Sequence, residues 1–465
     1  MADQTRGPAT MAQTAGDEGQ PELKRVIGPG LLLLFVVGDI IGTGVYALTG
    51  TVAGKVGGAL WLPFLLAFTV AFLTAFSYLE LVGKYPKAAG AALYANRAFK
   101  IQFLTFMVAF AVMSSGITSA ASAAQAFGNT YLRKLMGDSL TIPTVYIALG
   151  FILLLAAVNF RGVAESLWAN VVLTFIELSG LLIIIVVGFY AITNGEGEPA
   201  RLTHIDTVGQ TPLIAVTSAT ALAFFAMVGF EDSVNMAEEC RDPVRIFPRA
   251  MLLGMGIAAV IYVLVALTSS LLVPAKDLSA AKSDALLKVL EVGAPGFPLW
   301  VFALIGLLAV INSALINMLM ASRLVYGMAN ERIIPRAFGT VHPFRRTPWV
   351  SILFTSAIAM VLVALVDINA LGGTTSLLLL IVFTVVNVAV LVLRKEKVEH
   401  KHFRAPTALP LIGAIACAYL ASPLSGRPAR EYGIAAILLG VGVLLWGVNR
   451  LVVGKVKFDA EKLSK

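Results

Sequence analysis

The sequence is short of charge, of histidine and of cysteine. Only 13% of its 465 residues are Asp, Glu, Lys or Arg, against about 25% in soluble domains, so an ordinary water-facing surface is excluded. Two cysteines, Cys240 and Cys417, exclude a disulfide framework and a cysteine-rich metal centre. The four histidines, His204, His342, His400 and His402, all fall between the apolar runs. An integral membrane enzyme built on paired histidines, a His-Glu metal motif or a Ser-His dyad at membrane depth therefore lacks its residues. No metal and no cofactor is expected, and intramembrane proton chemistry falls to carboxylates.

What the chain has in abundance is apolar length. Hydrophobic residues make up 58% of it and come in long runs, and one bilayer crossing needs about 20 residues at 1.5 Å each. Twelve spans are expected, near 27–53, 58–82, 96–128, 141–160, 166–192, 212–238, 249–273, 297–329, 348–366, 371–393, 407–423 and 432–452. Residues 1–25 lack the basic flank and apolar core of a cleaved signal peptide and are expected to be a disordered tail. Residues 453–465 form a second tail.

Charge placement gives the orientation. With twelve spans, 26 of the 35 Lys and Arg residues fall on one face and nine on the other. Basic loops stay cytoplasmic, so both termini are expected there, in a multi-pass protein of the cytoplasmic membrane. The formal net charge of +8 then follows from topology rather than from nucleic-acid binding.

Two spans are interrupted. Gly38-Asp39-Ile40-Ile41-Gly42-Thr43-Gly44-Val45-Tyr46 sets glycines around Thr43 in the first, and Phe224-Phe225-Ala226-Met227-Val228-Gly229-Phe230-Glu231-Asp232 sets a glycine and two acids in the sixth. Each glycine costs about 1 kcal/mol relative to alanine in a helix. Breaks five spans apart are the placement expected of inverted repeats, here about 26–193 and 210–395 in a ten-helix core spanning 26–395, with 396–452 as an appended eleventh and twelfth helix. Unwound backbone is tolerated in a bilayer only where protein or a wet cavity satisfies it. A half-helix N-terminus favours an anionic group and a half-helix C-terminus a cation, which together suit a zwitterion such as an α-amino acid, or a related amine.

The sequence resembles the amino acid–polyamine–organocation permeases. Gly38 to Tyr46 is similar to that family's first-helix break and Phe225 to Glu231 to its sixth-helix break. Tyr78-Leu79-Glu80-Leu81 with Tyr85-Pro86-Lys87-Ala88-Ala89-Gly90-Ala91, Ala237 to Pro243 through Arg249, and Arg323 to Ala329 with Pro335 resemble its cytoplasmic turns and helix ends. The resemblance covers residues 24 to about 410, with its five pieces in order. It implies an all-α, LeuT-like five-plus-five fold with broken helices 1 and 6 and twelve transmembrane helices. It also implies a substrate site at Ile40, Ile41, Gly42, Thr43, Gly44, Phe225, Ala226, Val228 and Gly229. The amides of Thr43 and Gly44 would meet a carboxylate, the carbonyls of Ile40, Phe225 and Val228 an amine, and Phe225 would close over the substrate. Ser114, Ser115 and Ser119 would line the side-chain pocket.

Ionisable residues within spans are functional candidates by default, and Asp39, Glu177, Glu231 and Asp232 qualify. A carboxylate shielded from water can hold a proton near neutral pH, which makes Asp39 or Glu177 a coupling candidate. Some proton-coupled relatives carry a lysine near the Glu177 position, so Glu177 reverses that charge. Glu231 matches the acid that follows the family's sixth-helix glycine. The resulting expectation is a secondary transporter of an amino acid, with proton coupling favoured over sodium symport or exchange. The acid excess tilts the substrate towards cations. Lipids and a small-molecule substrate are the expected partners, and nucleic acid is not. A non-transporting amino acid sensor and a channel are the rival classes; saturable, gradient-driven uptake separates a carrier from both a sensor and an enzyme.

Overall fold

Inside a bilayer no water is present to bond backbone N–H and C=O groups, so an apolar run must satisfy its own. The computed structural model describes residues 27–86, 90–137, 141–162, 167–206 and 209–454. Among them the chain folds as helices, with only isolated bridges at Ile27–Cys240 and Gly57–Ile205 and no strands. In order these are α1 Pro29–Ile40, α2 Thr43–Val56, α3 Trp61–Lys84, α4 Gly90–Phe99, α5 Gln102–Ala126, α6 Arg133–Met136, α7 Thr144–Arg161, α8 Leu167–Thr193 and α9 Pro212–Ala223. There follow α10 Pro243–Leu272, α11 Ala275–Ala281, α12 Ala285–Gly293, α13 Leu299–Asn330, α14 Trp349–Leu365, α15 Ile368–Leu393, α16 Ala408–Ala421 and α17 Ala429–Val453.

Ten helical stretches among the described residues are long and apolar enough to cross a membrane, and α14 and α16 are shorter apolar helices. The protein is an all-helical, multi-pass membrane protein. The tail expected over 1–25, and all but the first two residues of that over 453–465, lie outside the described residues, as do Lys87, Ala88 and Ala89.

The third span differs from expectation. Its start near residue 96 falls inside α4, a separate short helix that ends before Lys100, whose φ of 55° breaks the run. Helix α5 starts afresh at Gln102 and continues through a π-helical turn, Phe127–Leu132, into α6. The apolar signal was continuous across two helices because α4 buries an apolar face against α5 and α15.

The interior is arranged around α5 and α13, which pack together, with α15 also on α5. Helix α1 lies against α8 and α10, and α2 against α9 and α11. Helices α16 and α17 both pack on α15. Asp242 starts α10 by accepting from Arg245 N, and Asp367 starts α15 by accepting from Asn369 N and Ala370 N; such N-caps satisfy amides that have no intrahelical partner.

Candidate functional site

Helix α1 ends at Ile40, and Ile41 (φ −78°, ψ 53°) and Gly42 (φ −102°, ψ −145°) turn the chain before α2 resumes at Thr43. No side chain caps α2, so its first amides, which have no intrahelical partner, point into the gap. In the sixth span α9 stops at Ala223. A 3₁₀ turn, Phe224–Met227, follows; Val228 is extended, Gly229 has φ 126°, and a second 3₁₀ stretch runs from Asp232 to Glu239. A φ of this sign is a glycine conformation.

The two breaks touch backbone to backbone. A Cβ on Gly229 would lie 2.6 Å from the Asp39 carbonyl oxygen, and one on Gly44 would lie 2.4 Å from Ala226 Cα. Between them is a cavity of about 20 Å³, room for about one water. Asp39, Ile40, Gly42, Thr43, Gly44, Phe225, Val228 and Gly229 line it, joined by Ser119, Asp232, Ser313 and Asn317. The hydroxyl of Thr43, a residue only 2% exposed, has no hydrogen-bond partner among the described residues.

Val228, Asp232 and Asn317 also line a larger cavity of about 390 Å³, which extends past Glu231, Asn235 and Glu239 to Arg323, Tyr326 and Pro348. The small cavity therefore adjoins a vestibule at one end of the bundle. The Phe225 ring packs near Gly372 of α15, against which Leu48 also lies.

The remaining candidates distribute unevenly. Ile41 and Ala226 are buried but line neither cavity. Ser115 lines the vestibule and donates to Val112 O at 2.7 Å; Ser114 lines neither cavity. The Ile40 carbonyl already accepts from the Tyr262 hydroxyl at 2.6 Å and from Gly42 N at 2.8 Å, which occupies both of its lone pairs. Glu231 lines the vestibule and accepts from Gly229 N at 2.9 Å.

Residues 31–445 match the amino acid permease family. The chain belongs to that family, within the amino acid–polyamine–organocation superfamily. Its relatives include the methylthioribose transporter of Bacillus subtilis, 27% identical with 91% of this chain and 93% of the relative covered. The branched-chain amino acid permease BcaP of the same organism is 23% identical, with 87% and 89% covered. Cationic amino acid transporter 4 of Mus musculus is 28% identical, with 81% and 61% covered. This chain is a permease, and not an enzyme.

Glu177 of this permease lies away from both cavities, in a buried polar cluster. Its Oε1 accepts from Asn312 Nδ2 at 3.0 Å, and the same nitrogen reaches Asn170 Oδ1 at 3.2 Å. Its Oε2 has no hydrogen-bond partner among the described residues. The Tyr46 hydroxyl donates to the Glu177 carbonyl at 2.5 Å, tying α2 to α8. Ser313 and Asn317, on one face of α13, are site residues that sequence reasoning missed. The available signal was three uncharged polar side chains, Asn312, Ser313 and Asn317, in the otherwise apolar stretch of α13 before Ser322.

Proposed function

We propose that this permease is a secondary active transporter of an amino acid, driven by protons and built as two inverted five-helix repeats, about 26–193 and 210–395, with both termini cytoplasmic. The observation that carries the proposal is the meeting of the Gly42 and Gly229 breaks around one cavity that faces the uncapped start of α2 and the unpartnered Thr43 hydroxyl. Unpaired amides at the positive end of a helix suit a carboxylate. The carbonyls of Phe225 and Val228 are the acceptors for the α-ammonium, since that of Ile40 is occupied by Tyr262 and Gly42.

With this orientation the vestibule opens to the cytoplasm and Phe225 lies on the outer side of the site, so the conformation is inward-facing with a collapsed site. Substrate binding from outside requires α2, the 224–227 turn and α15 to separate around Gly372. Glu177 is the coupling group. It is buried, with Asn312 as its side-chain partner among the described residues, and would exchange the coupling proton as the contact between α8 and α13 opens and closes.

The test is uptake of a panel of labelled amino acids and polyamines into proteoliposomes, with and without an inward proton gradient, in sodium-free buffer. Saturable uptake accelerated by the gradient is the expected result. Uptake that appears only with sodium or with internal substrate would replace proton symport by sodium symport or exchange, and no uptake under any condition would replace the carrier by a sensor.

A further inference from the structure

We propose that Asp232 reads a second positive charge on the substrate, so that the transported molecule is an α-amino acid whose side chain ends in an ammonium or guanidinium group. This rests on the transport reading above and adds to it the side-chain class and the residue that selects it. Asp232 is the one acid among the described residues that lines both the small cavity at the breaks and the vestibule. Its neighbour Glu231 is committed to the Gly229 amide, whereas the Asp232 carboxylate makes no hydrogen bond or ion pair with a described residue. Among the described residues the vestibule carries Glu231, Asp232 and Glu239 against a single cation, Arg323, a balance that attracts positive charge.

A second observation fixes the direction in which a ligand lies. The Thr43 hydroxyl, 2% exposed and without a partner, lines the small cavity at the start of α2, so the carboxylate end belongs there. The chain of the substrate then runs past Val228 to the seam with the vestibule, where Asp232 and Asn317 stand. Asn317 donates its Nδ2 to Ser313 O at 2.8 Å, which leaves its Oδ1 to serve as an acceptor. At the seam the Asp232 carboxylate and Asn317 Oδ1 outnumber the one N–H that Asn317 Nδ2 has left, a balance that matches a cationic head rather than a second carboxylate. A neutral side chain would desolvate Asp232 on closure without giving it a partner, and an unpaired buried charge is penalised, so selectivity comes as much from rejecting neutral substrates as from holding charged ones.

Lysine and norleucine have side chains of the same carbon count and differ in the terminal ammonium. In liposomes holding the full chain, lysine is expected to exceed norleucine in uptake efficiency by roughly 10- to 100-fold, the size of one charge-assisted hydrogen bond. D232N should lower that ratio about tenfold or more, and D232E should restore part of it. An unchanged ratio in D232N would overturn the proposal. Should D232N not be recovered folded, competition by unlabelled lysine and norleucine on the wild-type chain decides: equal competition overturns the proposal. Wild-type uptake confined to neutral amino acids also overturns it and leaves the transport reading intact. No uptake of any amino acid removes both.

Discussion

Replacing Gly44 by alanine tests the close approach of the two breaks. The added Cβ would lie 2.4 Å from Ala226 Cα, 2.8 Å from its Cβ and 2.9 Å from its N. Carbon atoms rest at about 3.5–4.0 Å, so α2 and the 224–227 turn must part by at least about 1 Å. The opposing atoms are backbone and a methyl, and no rotamer change relieves the clash. Overpacking of this kind costs about 1–3 kcal/mol. A displacement of about 1 Å is also the scale at which positioned sites lose on the order of 100-fold in rate, and Gly44 and Phe225 are both in the cavity wall. Gly44→Ala is therefore expected to fold with a lowered thermal midpoint in detergent and to lose at least tenfold in uptake efficiency. Gly256→Ala, in α10 with nothing within 4 Å of the new methyl, is the control; there alanine gains up to about 1 kcal/mol of helix propensity. Wild-type midpoint and uptake in Gly44→Ala would refute the close approach and, with it, the geometry of the site.

Glu177→Gln keeps an oxygen for Asn312 but removes the titrating group; downhill uptake should persist while proton-driven accumulation falls, and equal accumulation in wild type and variant would assign coupling elsewhere. Arg394 holds Glu80 through two bonds, 2.9 and 2.7 Å, tying α3 to the end of α15; Glu80 is buried and Arg394 nearly so. Arg394→Ala leaves Glu80 with only the Ala405 amide and should cost about 3–5 kcal/mol, read as a lower midpoint in detergent. Arg427 donates to Glu431 at 2.6 Å, to the carbonyls of Ala221, Gly373 and Leu420, and to Ser376 Oγ. Because Ala221 is near the carboxyl end of α9, Arg427→Ala should both destabilise the chain by a similar amount and weaken substrate uptake, whereas a purely peripheral contact would change the midpoint alone.

The placement of the spans was legible because hydropathy is local. The expected sixth span, 212–238, corresponds to helix and 3₁₀ segments from Pro212 to Glu239, and the expected eighth, 297–329, to α13 at Leu299–Asn330. The breaks were legible for the same reason, since glycine at 42 and 229 weakens helix wherever it occurs. The start of α5 was not, because a buried amphipathic helix and a membrane span carry the same apolar residues and only the backbone turn at Lys100 separates them.

The sequence by itself determined a many-span helical membrane protein with two interrupted helices, and it put Asp39, Thr43, Phe225 and Asp232 on the two interrupted segments. Only tertiary structure decided which of these groups face one cavity and which are already used. Tyr262 lies 222 residues from the Ile40 carbonyl it occupies, and Asn312 lies 135 residues from the Glu177 carboxylate it holds. Ser114 and Ser119 differ by five residues, yet only Ser119 lines the small cavity. Helix periodicity fixes which residues share a face, but which face meets which neighbour is set by packing among distant helices, and that is a property of the whole fold.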